Sequence, residues 1–144
     1  MKALEKLDQK EKEQLLMAPV YISLLAANTD GKMDAEEKRS AIEFSQIKTF
    51  SSVLLLRNFY IEVQKVFVAN LEELENKLPK GKDERERAIN AELLKLEPLF
   101  SKLGSSYSDT LYRSFITYAE HVSKAHRSAL ASFIFPFEIK GFTT

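Results

Sequence analysis

The sequence predicts an all-α fold, a single-domain bundle of about five helices, on three observations. Apolar residues recur at helical spacing over stretches far longer than a strand. The chain has only four glycines and four prolines, and Gly31, Gly81 and Gly104 fall where a helical pattern ends. Hydrophobic residues make up 44% and charged residues 29% of the 144 residues, which is typical of a globular domain that buries its own core.

The first two predicted helices precede and follow an acidic turn. Helix one covers about residues 4–29, and Pro19 is expected to kink or restart it because proline has no backbone N–H. Its apolar run over residues 15–27 is too short for a membrane span, which needs ~20 residues. Helix two follows the turn and covers about residues 34–48.

Helices three and four are separated by the clearest break in the chain, at Leu78-Pro79-Lys80-Gly81-Lys82. Helix three, about residues 50–78, is apolar on nearly every face, so we expect it to be the central, surrounded helix. Asp83 and Glu86 have capping-box spacing and predict the start of helix four. This helix ends near Leu103 and is split by Pro98.

The last helix follows a predicted loop at residues 104–109 and ends near Phe135, because Pro136 cannot continue it. Its apolar stripe comprises Leu111, Phe115, Ala119, Val122, Ala129 and Phe133. The tail 137–144 is expected to dock in extended form, so that residues 1–144 make one helical domain.

Charge and composition exclude several classes of function. Lysine plus arginine equals aspartate plus glutamate at 21 each, so there is no net positive field for a nucleic acid. The mixed-sign runs at 72–75 and 80–87 are typical of solvated helix faces. Zero cysteines exclude disulfides and thiolate metal sites. The charged N-terminus, MKALEKLDQKEKEQ, is unlike a secretory signal, so we expect a cytoplasmic protein.

The usual enzyme motifs are missing from the sequence. His121 and His126 are five residues apart, which turns them about 140° around a helix, so they do not form a shared metal site. Ser105, Ser106 and Ser108 lie outside any Gly-x-Ser-x-Gly elbow and are interpreted as capping residues. Neither a glycine-rich phosphate loop nor a dinucleotide motif is present. We therefore predict a protein that is not an enzyme.

The most informative segment is the acidic turn, residues 26–37, which places oxygen ligands around a glycine between two helices. Hard divalent cations prefer such ligands. With Gly31 as the sixth residue of a calcium loop, the third, fifth, ninth and twelfth residues are Asn28, Asp30, Asp34 and Glu37. The first residue would be Ala26, which has no ligand atom. The resulting hypothesis is a divalent cation held by Asp30, Asp34 and Glu37.

Helix-end chemistry explains the same residues without a metal. Asp30 and Gly31 are typical of a helix terminator, and Asp34 with Glu37 has capping-box spacing. The residues alone leave open whether the acidic turn binds a cation or only caps two helices. They also leave open the choice among calcium, magnesium, manganese and zinc.

Residues 24–38, LLAANTDGKMDAEEK, resemble the repeat-opening motif of the tellurite-resistance TerB-like family. In that motif a small-residue helix ends in Asp-Gly and a glutamate follows seven residues after the aspartate, here Asp30, Gly31 and Glu37. The resemblance implies an all-helical bundle from bacterial stress-response or tellurite-resistance contexts, with a divalent cation at Asp30 and Glu37 and Asp34 as a helper. The chain departs from the motif at Asn28-Thr29 and has no second copy of it.

Two functional hypotheses follow. The first is a non-enzymatic TerB-like domain that binds a divalent cation at the acidic turn and acts as an accessory or interaction module. The alternative is a metal-free interaction or scaffold module, with an unknown protein partner or a second copy bound through the aromatic C-terminus. The aromatic residues concerned are Phe133, Phe135, Phe137 and Phe142.

Overall fold

The structure, a computed structural model, describes residues 4–26, 35, 39, 42–43 and 54–125, with the backbone alone for residues 26 and 119–125. Residues 4–26 and 54–125 form six α-helices and two short 3-10 turns, and the described residues contain no strand. The 3-10 turns are Leu4–Lys6 and Leu54–Leu56. The helices are α1 Gln9–Leu16, α2 Ala18–Ala26, α3 Arg57–Lys77, α4 Lys82–Leu94, α5 Glu97–Leu103 and α6 Ser105–Ala125.

The predicted all-α class is confirmed for the described residues, and two predicted helices are each divided into two. Predicted helix one corresponds to α1 and α2, and predicted helix four to α4 and α5. Of predicted helix two the structure describes four residues, all helical: Ala35, Arg39, Ile42 and Glu43. None of these four is a proposed cation ligand of the acidic turn.

The central helix is α2, and the expectation that helix three would be surrounded is wrong. α2 contacts α1, α3, α4 and α6, and it carries no charged residue. α3 buries one face, formed by Phe59, Tyr60, Val63, Phe67, Leu71 and Leu74. Its other faces meet solvent, since Val68 is 43% exposed and Leu54, just before the helix, is 79% exposed. The prediction of a surrounded helix rested on the number of apolar residues in α3. The charged residues Glu62, Lys65 and Glu72 instead mark one side of this helix as solvated.

The break between α1 and α2 lies at Met17, two residues before the proline. Pro19 sits in the first turn of α2, where its missing N–H has no helical partner to lose. α1 begins with a capping box: the Glu11 N–H donates to Asp8 Oδ1 at 2.8 Å, and the Asp8 N–H donates to Glu11 Oε1 at 3.0 Å. This box is not among the helix caps predicted from the sequence.

The predicted capping box at Asp83 and Glu86 is wrong, because α4 begins earlier. Gly81 is its N-cap, with φ −70°, so this glycine does not use the left-handed conformation. Asp83 lies inside the first turn, where its negative charge favours the helix N-terminus. The split at Pro98 is confirmed, because Pro98 stands in the first turn of α5.

The predicted loop at residues 104–109 is also wrong, since Gly104 alone separates α5 from α6. Its φ of +92° and ψ of 148° form a conformation that is nearly exclusive to glycine, and this one residue joins the two helices. The Ser108 N–H already donates to the Gly104 carbonyl oxygen at 2.9 Å. In the apolar stripe of this helix, Leu111 and Phe115 are buried as predicted.

The predictions made for residues 126–144 lie outside the described residues. They include the helix end near Phe135, the docked tail 137–144 and the aromatic interface. Among the residues that are described, no helix is both long enough and apolar enough to cross a bilayer.

We expect Gly104→Ala to lower the free energy of unfolding by ~1–3 kcal/mol, because alanine must occupy a backbone region that L side chains avoid. Gly81→Ala is the matched control. It should change stability by less, since φ at Gly81 is ordinary and an added Cβ would approach Glu84 only to 3.6 Å. Urea unfolding measures both variants, and equal losses would contradict the assignment of strain to Gly104.

Candidate functional site

The three predicted cation ligands, Asp30, Asp34 and Glu37, lie outside the described residues, and so does Gly31. The structure describes helical residues at both ends of the acidic turn. α2 covers Ala18–Ala26 before it, and Ala35 and Arg39 are helical after Asp34. Helical residues are thus described before residue 27 and again at Ala35 and Arg39, and the ligand geometry stays a prediction.

The helix that leads into the acidic turn is fixed in the core. Ile22 is fully buried and Leu24 nearly so. The Ser23 hydroxyl lies 2.7 Å from the Pro19 carbonyl oxygen and 2.7 Å from the Tyr118 hydroxyl of α6. Burying a hydroxyl without a partner costs free energy, so this bonding specifies how α2 sits against α6. A ligand bound just beyond α2 would therefore act on a rigid element.

Other buried hydroxyls pair in the same way. The Tyr60 hydroxyl of α3 lies 2.6 Å from the Ser114 hydroxyl of α6, and the Ser108 hydroxyl donates to the Phe100 carbonyl oxygen. Burial raises the pKa of Tyr60 and of Tyr118 well above the ordinary value for tyrosine. Both phenols therefore stay neutral at physiological pH. These groups hold helices together and are not arranged as nucleophile and base.

Arg85 is a buried charge that the sequence analysis assigned to a solvated face, and that expectation is wrong. Its side chain is 1% exposed, and its Nη1 donates to the Pro79 carbonyl oxygen at 3.3 Å. Its Nη2 is buried without a hydrogen-bond partner among the described residues. Burial lowers the pKa of Arg85, and the nearby Glu75 carboxylate opposes that shift. The spacing Arg85, Ile89, Leu93 is the signal that marks this face of α4 as buried.

Two open grooves run between α1 and α3, each about 430 Å³ in volume, and both include Leu16. The first is lined by Leu4, Glu5, Gln9, Lys12, Leu16, Asn58, Phe59, Ile61 and Glu62. The second is lined by Lys10, Glu13, Gln14, Leu16, Met17, Val66, Asn70 and Glu73. The sequence contains no signal for either groove, because each needs two helices that are about 40 residues or more apart in the chain.

Two of the carboxylates along these grooves form ion pairs on their own helix. Glu62 lies 2.7 Å from Lys65, and Glu73 lies 3.2 Å from Lys77. Within the described ranges, no three His, Asp or Glu side chains come together as a metal site would require. The grooves are therefore lined by amides and by side chains of both charges, and their described lining contains no cluster of metal-ligating side chains.

Removing the tyrosine hydroxyl from each of the two buried hydroxyl pairs should lower the free energy of unfolding by different amounts. Tyr118→Phe leaves Ser23 with the Pro19 carbonyl as its acceptor, so we expect a loss of ~1 kcal/mol. Tyr60→Phe removes the described partner of Ser114 and should cost more, ~1–3 kcal/mol. Urea unfolding of both variants gives the comparison, and a smaller loss for Tyr60→Phe would contradict it.

Arg85→Ala should lower the free energy of unfolding by ~2–5 kcal/mol, because a long buried stem is lost. Arg85→Met keeps the stem and removes the unsatisfied guanidinium, so its stability should stay within ~1 kcal/mol of the parent. Urea unfolding again measures both. If Arg85→Met is as unstable as Arg85→Ala, the polar contacts of the guanidinium are what stabilise this face.

A scan against protein-family models found no match to this chain, and neither did searches among curated proteins and solved structures. The resemblance of residues 24–38 to the TerB-like family therefore stays a prediction from the sequence.

Proposed function

We propose that the chain is a non-enzymatic helical domain that binds a divalent cation at the acidic turn through Asp30, Asp34 and Glu37. In this proposal the bound ion joins the end of α2 to the helix that follows. The domain then acts as a cytoplasmic accessory or interaction module, in the stress-response or tellurite-resistance role that the TerB-like resemblance implies. The ion is calcium, magnesium, manganese or zinc.

One observation carries the proposal: the acidic turn follows the most buried helix of the described structure, and helix is present again at Ala35. Ligands next to a rigid helix lose little conformational entropy when they bind an ion. The packing of α2 against α3, α4 and α6 also couples the acidic turn to the whole core. Ion binding there should therefore be visible as global stability.

The polar interior supports a function without catalysis. Its buried hydroxyls bond to each other or to backbone carbonyls, as Ser23, Tyr60 and Ser108 show. Such groups stabilise helix packing. The described grooves are open and carry carboxylates already paired with lysines. A module that binds an ion or a partner fits these features better than an enzyme does.

The test is the thermal unfolding midpoint of chelator-stripped protein, measured alone and with each of the four ions. An ion at about 100 times its Kd adds ~2.7 kcal/mol, because it binds the native state only. For a chain of this size, that should raise the midpoint by roughly 5–11 °C. The absence of a shift with all four ions would contradict the proposal.

The variant Asp34→Asn/Glu37→Gln distinguishes ion binding from helix capping. The side-chain oxygens of asparagine and glutamine still accept the capping hydrogen bonds from backbone N–H groups, so basal stability should be nearly unchanged. They lack the carboxylate charge, so the ion-dependent shift should disappear. Asp83→Asn/Glu86→Gln is the matched control, with the same residue types and spacing on exposed positions of α4, and it should keep the full shift.

If no ion shifts the midpoint, the acidic turn is a pair of helix caps. The metal-free alternative then becomes the working hypothesis, with a protein partner or a second copy bound through Phe133, Phe135, Phe137 and Phe142. Sedimentation analysis of Phe135→Ser and Phe142→Ser against the parent would test that interface.

A further inference from the structure

The N-terminal segment, residues 4–16, lies on the outside of the helices that follow it. Its buried residues are Leu4, Leu7 and Leu15, while much of its remaining surface is exposed and charged. The first 3-10 turn contacts α5, and α1 contacts α2 and α3. Three apolar anchors in thirteen residues make this a lightly held element compared with α2.

The helical hydrogen bonding is interrupted at the junction between this segment and α2. Met17 is the C-cap of α1, and its N–H donates to the Gln14 carbonyl oxygen at 3.2 Å, in a tightened last turn. Pro19 has no N–H to donate to the Leu15 carbonyl oxygen, so the helical hydrogen-bond ladder is interrupted here. Rotation at Met17 therefore breaks fewer backbone bonds than bending a continuous helix would.

Beneath α1, packing against α3 is incomplete. The two open grooves lie on this boundary, and each combines residues of α1 with residues of α3. Phe59 of α3 is fully buried and lines the first groove together with Leu4 and Leu16. Lifting residues 4–16 would therefore uncover Phe59 without first disrupting a tightly interlocked layer.

An ion pair on the surface joins this segment to the rest of the fold. Glu11 of α1 pairs with Lys102 of α5, and Glu11 also completes the capping box with Asp8. The hydrogen bond between them lowers the pKa of the Glu11 carboxyl and raises that of the Lys102 ammonium. Close by, Lys6 Nζ lies 3.7 Å from the position that a Cβ would occupy on Gly104.

We propose that residues 4–16 form a strap that opens as one unit about Met17–Pro19 while α2 to α6 stay folded, with the Glu11–Lys102 ion pair as its latch. Opening uncovers Phe59 and the apolar side of Leu16. Because the latch is on the surface, salt screens it and shifts the strap toward the open form. This proposal does not depend on ion binding at the acidic turn, and its test contains no divalent ion.

Native-state hydrogen exchange of the full chain tests the strap. Amides of residues 12–16 should exchange at least about tenfold faster than amides of residues 111–118 in α6, because they open without global unfolding. High salt should increase the rate for residues 12–16 further. Lys102→Glu should increase it by about two- to fivefold, while the rates for residues 111–118 stay unchanged.

Lys95→Glu is the matched control. The Lys95 Nζ lies 2.7 Å from Glu92 Oε2 at the end of α4, so this ion pair does not involve the strap. This substitution should leave the exchange of residues 12–16 at the parent rate. Exchange of residues 12–16 and 111–118 at one common rate would overturn the strap. Faster exchange of residues 12–16 that responds equally to Lys102→Glu and Lys95→Glu would overturn the latch, and with it the proposal.

Discussion

The burial of α2 is the constraint on which the rest of the described structure depends. This nine-residue helix carries no charged side chain and lies against α1, α3, α4 and α6. A helix buried on nearly all sides must satisfy every polar group it brings inside, because water cannot reach them. Ser23 does so through the Pro19 carbonyl and the Tyr118 hydroxyl, which also sets the position of α6 against α2. The helices α3, α4 and α6 then cover it with one buried face each.

Polar interactions inside this core specify geometry more than they add stability. A typical buried hydrogen bond contributes only ~0.5–1.5 kcal/mol net, whereas leaving a buried donor unpaired costs ~1–3 kcal/mol. The pairs Ser23 with Tyr118 and Tyr60 with Ser114 thus act chiefly by penalising other arrangements of α2, α3 and α6. Arg85 differs, because one of its nitrogens has no partner among the described residues while its stem fills space beside the α3–α4 turn.

The acidic turn shows how much of a candidate site can be predicted from the sequence alone. An aspartate followed three residues later by a glutamate occurs at Asp8, Asp34 and Asp83. At Asp8 the pair forms a full capping box, whereas at Asp83 it does not, because α4 already begins at Lys82 with Gly81 as its N-cap. The Asp–Glu spacing therefore supplies two carboxylates but does not determine whether they cap a helix or bind a cation. Where a helix begins depends on the packing of the chain on either side, and the same carboxylates serve as caps or as cation ligands.

Local sequence by itself determined the helical class and the splits near prolines, because proline's missing N–H and glycine's freedom at positive φ act within a single turn. Pro98 and Gly104 mark real helix boundaries for this reason. Only the tertiary structure decided that α2 is central, that Val68 faces solvent and that Arg85 is buried. The physical reason is that burial depends on which distant segments come to cover a residue, and α2 and α6, some 80 residues apart, meet only after folding.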